Sequence, residues 1–189
     1  FFGVNLTSGK GGQVAGYTYA REGHPNATVL AHKIDALEGA PAPGEGLIVS
    51  SGMAAVTAVL MGLLKSGDHV VAGVQLYGRS LRLISRDLQR FGVTSTLADP
   101  TDANAVAAAI RPETRLVLIE VVSNPTLRVA DLDAIVAVAH KHGVKVAVDN
   151  TFTTPRGLRP FEHGADIVLH SVTKILAGHA DVTLGYVAT

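Results

Sequence analysis

Short apolar runs punctuate this chain at intervals: GLIVS (46–50), HVVAG (69–73), RLVLIE (115–120), VKVAVD (144–149) and DIVLH (166–170). Continuous apolar runs of this length, rich in β-branched side chains and without polar alternation, predict strands buried on both faces. VTSTL (93–97) and TLGYVA (183–188) are weaker candidates of the same kind. Between the runs lie alanine-rich amphipathic stretches of helical length. The clearest is DLDAIVAVAHKHG, with Asp131 as the cap, Lys141 and His142 in the last turn and Gly143 at the stop. Strands that alternate with helices pair in parallel through right-handed crossovers. The pattern therefore predicts an α/β fold, a mostly parallel open sheet with helices on both faces. APAPGEG (40–46) reads as a loop inside that domain, and no internal repeat or low-complexity tract interrupts it.

The first 25 residues follow another pattern. FFGVNLTSGKGGQVAGYTYAREGHP is glycine-rich and lacks helical periodicity. It predicts an extended arm over 1–25, ahead of a single domain over 26–189.

Composition narrows the function classes. The chain has 189 residues, 47% hydrophobic and 17% charged, with a formal net charge of +0. That is the make-up of an ordinary soluble globular domain with a sizeable core. Balanced charge supplies no electrostatic drive toward nucleic acid or an anionic membrane, and no apolar run approaches a membrane span. With no cysteine, disulfides, thiolate catalysis and zinc–cysteine sites are excluded. The start shows no leader pattern, which implies the cytoplasm, but the chain opens at Phe1 and not Met, so residues are expected upstream.

In open parallel sheets, ligands sit beyond the carboxyl ends of the strands. The polar residues following each predicted strand are therefore the candidates. Ser51, Gly52 and Met53 follow GLIVS and open a helix predicted from Met53 to Leu64, an anion cradle with backbone N–H groups aimed outward. Tyr77 and Gly78 follow HVVAG, Asn124 and Pro125 follow RLVLIE, and Asp149 closes VKVAVD. After DIVLH come Ser171, Thr173 and Lys174, an amine set between hydroxyls in an otherwise apolar stretch. Taken singly, each has a plain reading: a helix cap, a core aromatic, a turn opener, a strand end, a snorkelling lysine. Together they put an anion cradle, an aromatic ring, a carboxylate and an amine on one sheet edge. A ligand with a phosphate, a flat ring, a basic ring nitrogen and an aldehyde meets all four, and pyridoxal 5′-phosphate (PLP) is such a ligand. On this reading Lys174 is buried and desolvated because it bonds the aldehyde, and Ser171 and Thr173 point at the phosphate.

These residues resemble the trans-sulfuration family, the PLP enzymes of cysteine and methionine metabolism, on the aspartate-aminotransferase type of fold. YTYAR (17–21), LEG (37–39), SSGMAA (50–55), LYG (76–78), SNPT (123–126), VDNTF (148–152), GAD (164–166), HSVTK (170–174) and GHAD (178–181) carry the resemblance nearly end to end. It implies that Lys174 holds the cofactor and shuttles protons between Cα and Cβ of the substrate. It implies further that Asp149 partners the ring nitrogen, Tyr77 stacks on the ring, and Gly52, Met53, Ser171 and Thr173 form the phosphate cup. Asn124 would lie near the cofactor's phenolic oxygen or the substrate carboxylate. Tyr19 and Arg21 would reach the phosphate of a neighbouring subunit, making the arm a dimer element within a homodimer, assembled further into a homotetramer.

Two features depart from the family pattern. His24, Pro25 and Asn26 stand where the family has Asn-Pro-Thr, and the chain stops at Thr189. The family's C-terminal domain is thus expected to be absent, and with it the arginine that clamps the substrate α-carboxylate. The implied reaction is β- or γ-elimination, or γ-replacement, on a small-molecule sulfur amino acid or an activated homoserine. SNPTLRVADL (123–132) leans toward cystathionine γ-synthase-like members, with cystathionine lyases, homoserine sulfhydrylase and methionine γ-lyase as alternatives. An aminotransferase is disfavoured by the Tyr19/Arg21 arm, and a non-catalytic truncated relative acting as a binding subunit by the intact Lys174. No metal is expected, since His140 and His142 are two apart on a helix and face different ways. TSGKGG (7–12) lacks a preceding strand and the Walker spacing, and no G-x-G-x-x-G follows a predicted strand. His179 reads as support behind Lys174.

Overall fold

The computed structural model describes residues 23–189. Tyr19, Arg21 and the rest of the arm lie outside the described residues. All seven apolar runs form strands: β1 (Leu47–Val49), β2 (His69–Gly73), β3 (Thr94–Ala98), β4 (Thr114–Glu120), β5 (Lys145–Asp149), β6 (Ile167–Ser171) and β7 (Gly185–Ala188). They make one sheet in the order β1-β7-β6-β5-β4-β2-β3. β7 is antiparallel to both its neighbours, and every other pairing is parallel. The reversal follows from connection type. The chain returns from β6 through a loop with no crossover helix, and only an antiparallel partner is reachable that way.

Alternation along the central strands sends side chains to two separate cores. On one face Val70, Ala72, Leu116, Leu118, Ala147 and Leu169 pack with Ala55, Val59 and Leu60 of α2 (Gly52–Leu63). On the other, Val71, Val117, Ile119, Val146 and Val148 pack with Ile135 and Ala139 of α5 (Leu132–Lys141) and Val106 of α4 (Ala103–Ala109). A third cluster, with Ile34, Val172 and Tyr186, sits beneath α1 (Pro25–Glu38). Two shorter helices, α3 (Gly78–Arg82) and α6 (Thr154–Gly157), follow β2 and β5.

The caps match the residues that predict them. Asp131 accepts from the Ala134 N–H at 3.3 Å, and α5 ends at Lys141 with Gly143 at φ 70°. Ser51 caps α2, which starts at Gly52, one residue before the predicted Met53. Among the described residues, no helix is long and apolar enough to cross a membrane.

Candidate active site

The carboxyl ends of β2, β4, β5 and β6 and the first turn of α2 enclose a cleft of about 380 Å³. Gly52, Met53, Tyr77 and Asn124 line it, and so do Asp149, Ser171, Thr173 and Lys174. A wider depression of about 800 Å³ adjoins it, with Asn124, Phe152 and Lys174 at the shared boundary. Asp149 and Lys174 thus face one cavity on the same side of the sheet.

One end of the cleft is a helix N-terminus. The Ser51 hydroxyl accepts from the Ala54 N–H at 3.1 Å and its carbonyl from the Ala55 N–H at 3.0 Å. The amides of Gly52 and Met53, in the first turn, have no acceptor within the helix and carry its positive dipole end. Gly52 is required here by close approach: a Cβ would lie 2.5 Å from Cβ and 2.7 Å from Oγ of Ser171. Its absence lets the Ser171 hydroxyl stand directly beside the free amides.

The other end is acidic. Asp149 ends β5, where Oδ1 accepts from the backbone N–H of Thr151 at 3.0 Å and from the Thr151 hydroxyl. The same hydroxyl accepts from the Ser171 N–H at 2.8 Å, so Thr151 ties the acid to the helix end of the cleft. Burial raises the Asp149 carboxyl above its ordinary range, against the two Thr151 bonds and the charge of His170, which lower it. Glu120, in register with Asp149 on β4, is a second carboxyl in the cleft. Burial first, and then the Asp149 charge, push it up to about 7, while the bond from the Tyr77 N–H opposes the shift. That bond, 2.7 Å to Oε1, sets the backbone at Tyr77, a residue 59% exposed at the cleft.

Glu120 and Thr151 escaped the sequence reading. Glu120 closes the RLVLIE run as Asp149 closes VKVAVD, and no motif marks it apart from an ordinary strand end. Thr151, two positions beyond an Asp, has the spacing of an Asx turn, and that signal was available.

Glu120 makes a pH prediction for the cofactor-free protein. Its folded pKa of about 7 exceeds the ordinary 4.5. The neutral form is therefore favoured by folding, and stability is lost as pH rises from about 4.5 through about 7. Glu120→Gln keeps an acceptor for the Tyr77 N–H but cannot ionise. It should stabilise the protein at pH 8 by up to about 3 kcal/mol and leave it unchanged at pH 4. Equal gains at both pH values in denaturant titrations would contradict this.

Three expectations require correction. Lys174 is exposed in this chain and not desolvated, because β6 ends at Ser171 and the lysine stands on the following turn at the cleft mouth. The Thr173 hydroxyl lines the cleft but does not point freely into it. It donates to the Leu184 carbonyl at 3.1 Å and accepts from the Leu184 N–H at 3.0 Å, pinning the loop that leads into β7. His179 is exposed and bonds the Ala177 carbonyl at 3.0 Å within its own turn, not a group behind Lys174. The other two histidines considered for metal are engaged in different places. His140 meets Asp166 at 2.9 Å, and His142 the Val138 carbonyl at 2.9 Å.

Comparison with known proteins gives the family. The family model described as Cys/Met metabolism PLP-dependent enzyme matches residues 2–189. The chain is 46% identical over 177 residues to an L-methionine gamma-lyase of Porphyromonas gingivalis, covering 93% of this chain and 44% of that protein. It is 46% identical over 180 residues to a cystathionine gamma-lyase of Bacillus subtilis, covering 95% and 46%. The chain thus spans about half the length of the curated relatives it matches. A solved structure of a candidate O-acetylhomoserine (thiol)-lyase of Campylobacter jejuni superposes with a TM-score of 0.87 at 34% identity, covering 92% of this chain and 42% of that one. That structure holds pyridoxyl-lysine phosphate. With the family model matching nearly every residue and the sheet edge arranged as described, this chain belongs to the PLP-dependent enzymes of cysteine and methionine metabolism.

Proposed function

We propose that this chain binds PLP in the cleft and catalyses β- or γ-elimination, or γ-replacement, on a sulfur amino acid or an activated homoserine. The observation that carries the reading is the placement of Lys174, Asp149 and the α2 N-terminus around one cavity. The donor set fits the cofactor. Gly52 and Met53 offer backbone amides, and Ser171 a hydroxyl, to a phosphate. Two carboxyls held in a partly dry cleft, both with raised pKa, lack a cation that a protonated ring nitrogen would provide. Asp149 then keeps its proton on that nitrogen. When bound, PLP supplies an electron sink for a carbanion at the substrate Cα.

The chain's own groups do the rest. Tyr77, its backbone held by Glu120, covers one face of the ring. Lys174 Nζ accepts the Cα proton and returns it at Cβ, which the turn at the boundary of the two depressions leaves it free to do. Positioned proton transfer of this kind is worth about 10²–10⁴-fold in rate. Asn124, which lines both depressions, would lie near the cofactor's phenolic oxygen or the substrate carboxylate. We assign residues 26–189 to cofactor binding. Residues 1–25 we assign to an arm whose Tyr19 and Arg21 serve a neighbouring subunit's phosphate in a homodimer, paired again as a homotetramer. An arginine fork suits that anion.

The test is a product assay on the PLP-loaded, full-length protein, given in turn cystathionine, methionine, and an acyl-homoserine with cysteine or sulfide. A 2-oxo acid with released ammonia and thiol marks elimination, and a thioether or thiol amino acid marks replacement. Neither product from any substrate, in protein showing the cofactor's visible band, would sink the reading.

A further inference from the structure

Behind the cleft lies a polar cluster that none of these steps uses. Glu38, the last residue of α1, is fully buried, as are Asn150 and His170. Glu38 Oε1 accepts from His170 Nε2–H and, at 2.9 Å, from the Asn150 side-chain amide. Asn150 also donates from that amide to the Leu158 carbonyl at 2.9 Å, and its backbone N–H reaches the Leu169 carbonyl at 3.0 Å. One turn earlier on α1, Asp35 accepts from the Tyr186 hydroxyl at 2.6 Å and from the Gly44 N–H at 2.7 Å, which holds the helix end onto β7 and onto the loop between α1 and β1.

Stability alone does not account for this cluster. A carboxylate at zero exposure carries a desolvation penalty that pairing offsets only when every polar atom is satisfied. Among the described residues, Glu38 Oε2, Asn150 Oδ1 and His170 Nδ1 have no hydrogen-bond partner. Incompletely satisfied polar clusters are commonly less stable than an apolar replacement.

Position gives the cluster a purpose. Asn150 directly follows Asp149, and His170 directly precedes Ser171. Neighbouring strand residues point to opposite faces, so His170 faces away from the cleft while Ser171 faces into it. On the cleft side Thr151 joins Asp149 to Ser171. On the far side Glu38 joins Asn150 to His170. The ends of β5 and β6 are therefore tied twice, once in front and once behind.

We infer that Glu38 is a positioning residue for the cofactor site: through Asn150 and His170 it fixes the separation between the Asp149 carboxylate and the Ser171 hydroxyl. A rigid cofactor that must reach a carboxylate at one end and a phosphate cup at the other demands that spacing. The inference rests on the PLP reading above. The charge of His170, which lowers the Asp149 pKa, acts in the same sense.

The experiment compares Glu38→Leu and Glu38→Gln with the unaltered full-length protein. PLP dissociation constants are measured by absorbance titration of cofactor-free protein, alongside its thermal midpoint. Leucine removes the acceptor and should weaken PLP binding by about 10–100-fold, the usual range for residues that act through a ligating group. Glutamine keeps an acceptor at the same place and should restore most of that affinity. A merely structural role would lower the thermal midpoint in step with affinity, and glutamine would have no special standing. PLP binding by Glu38→Leu within about twofold of the unaltered protein, or a loss in both variants that tracks the thermal midpoint, overturns the inference. Asn150→Ala, which breaks only the β5 tie, decides the question equally should Glu38→Leu not fold. If the unaltered protein itself fails to bind PLP, it is the cofactor reading that falls, a result readily told from failure of the clamp.

Discussion

Replacing Lys174 with alanine should abolish the borohydride-trapped PLP adduct and lower turnover by more than about 10³-fold. Two tasks fall on one Nζ: holding the cofactor, and moving the proton at the substrate, the second worth about 10²–10⁴-fold alone. The structure offers no substitute among the described residues, since Lys33, Lys65, Lys141 and Lys145 all stand away from the cleft lining. Lys174→Arg should fail equally, because a guanidinium stays charged and lacks a nucleophilic amine. Peptide mass spectrometry after reduction is the measurement. An adduct that survives in the alanine variant would transfer the role to another lysine and remove the central residue of the proposal.

Asp149→Asn is the second large effect, and its signature has two opposite signs. Asparagine keeps the side chain's shape but cannot hold a proton on a ring nitrogen. Removing one partner of a buried charged pair costs about 3–5 kcal/mol, about two to four orders of magnitude in rate or affinity. Turnover and PLP affinity should fall by about that much. The cofactor-free protein should respond the other way. Burial raises the Asp149 pKa above its ordinary 3.8, so the ionised carboxyl lowers stability once pH rises past that value. At neutral pH the variant should therefore melt higher than the unaltered protein, a gain in stability at a loss of function. The neighbouring acid supplies an independent check. The Asp149 charge contributes to holding Glu120 at about 7, so Glu120 should titrate lower in the variant, and carboxyl-carbon NMR would follow it. An unmoved Glu120 would mean that burial alone sets its pKa.

His69 and Arg128 show that a notable polar contact need not be functional. His69 is buried at the amino end of β2, between the hydroxyls of Thr114 at 2.8 Å and Thr96 at 2.9 Å. Arg128 reaches Asp99 at 2.7 Å and Thr101 at 2.8 Å, and backbone and side-chain bonds hold the Asp99 carboxyl down at about 2. Neither residue lines the cleft. Both pin the sheet's margins, and an exposed pair such as Arg128–Asp99 contributes little to stability.

What the linear chain determined by itself was whatever depends on local pattern. Continuous apolar runs mark the central strands β2, β4, β5 and β6 because a strand covered on both faces has no solvent side on which to alternate. Ser51 and Asp131 mark helix starts because the first amides of a helix require an acceptor and these residues carry one nearby. The motif residues Gly52, Asp149, Ser171 and Lys174 fall at strand ends because a parallel sheet gathers those ends along one edge. Only the tertiary structure decided the rest. Lys174 reads as buried from its apolar neighbours, yet the turn after β6 brings it out to the cleft mouth, and a turn's direction is set by the loop that packs against it. The reversal of β7, the pairing of Glu120 with Asp149 across two strands, and the tie from Glu38 to Asn150 and His170 all join residues far apart in sequence. No periodicity encodes such contacts, because each exists only once separate elements share a register and a face.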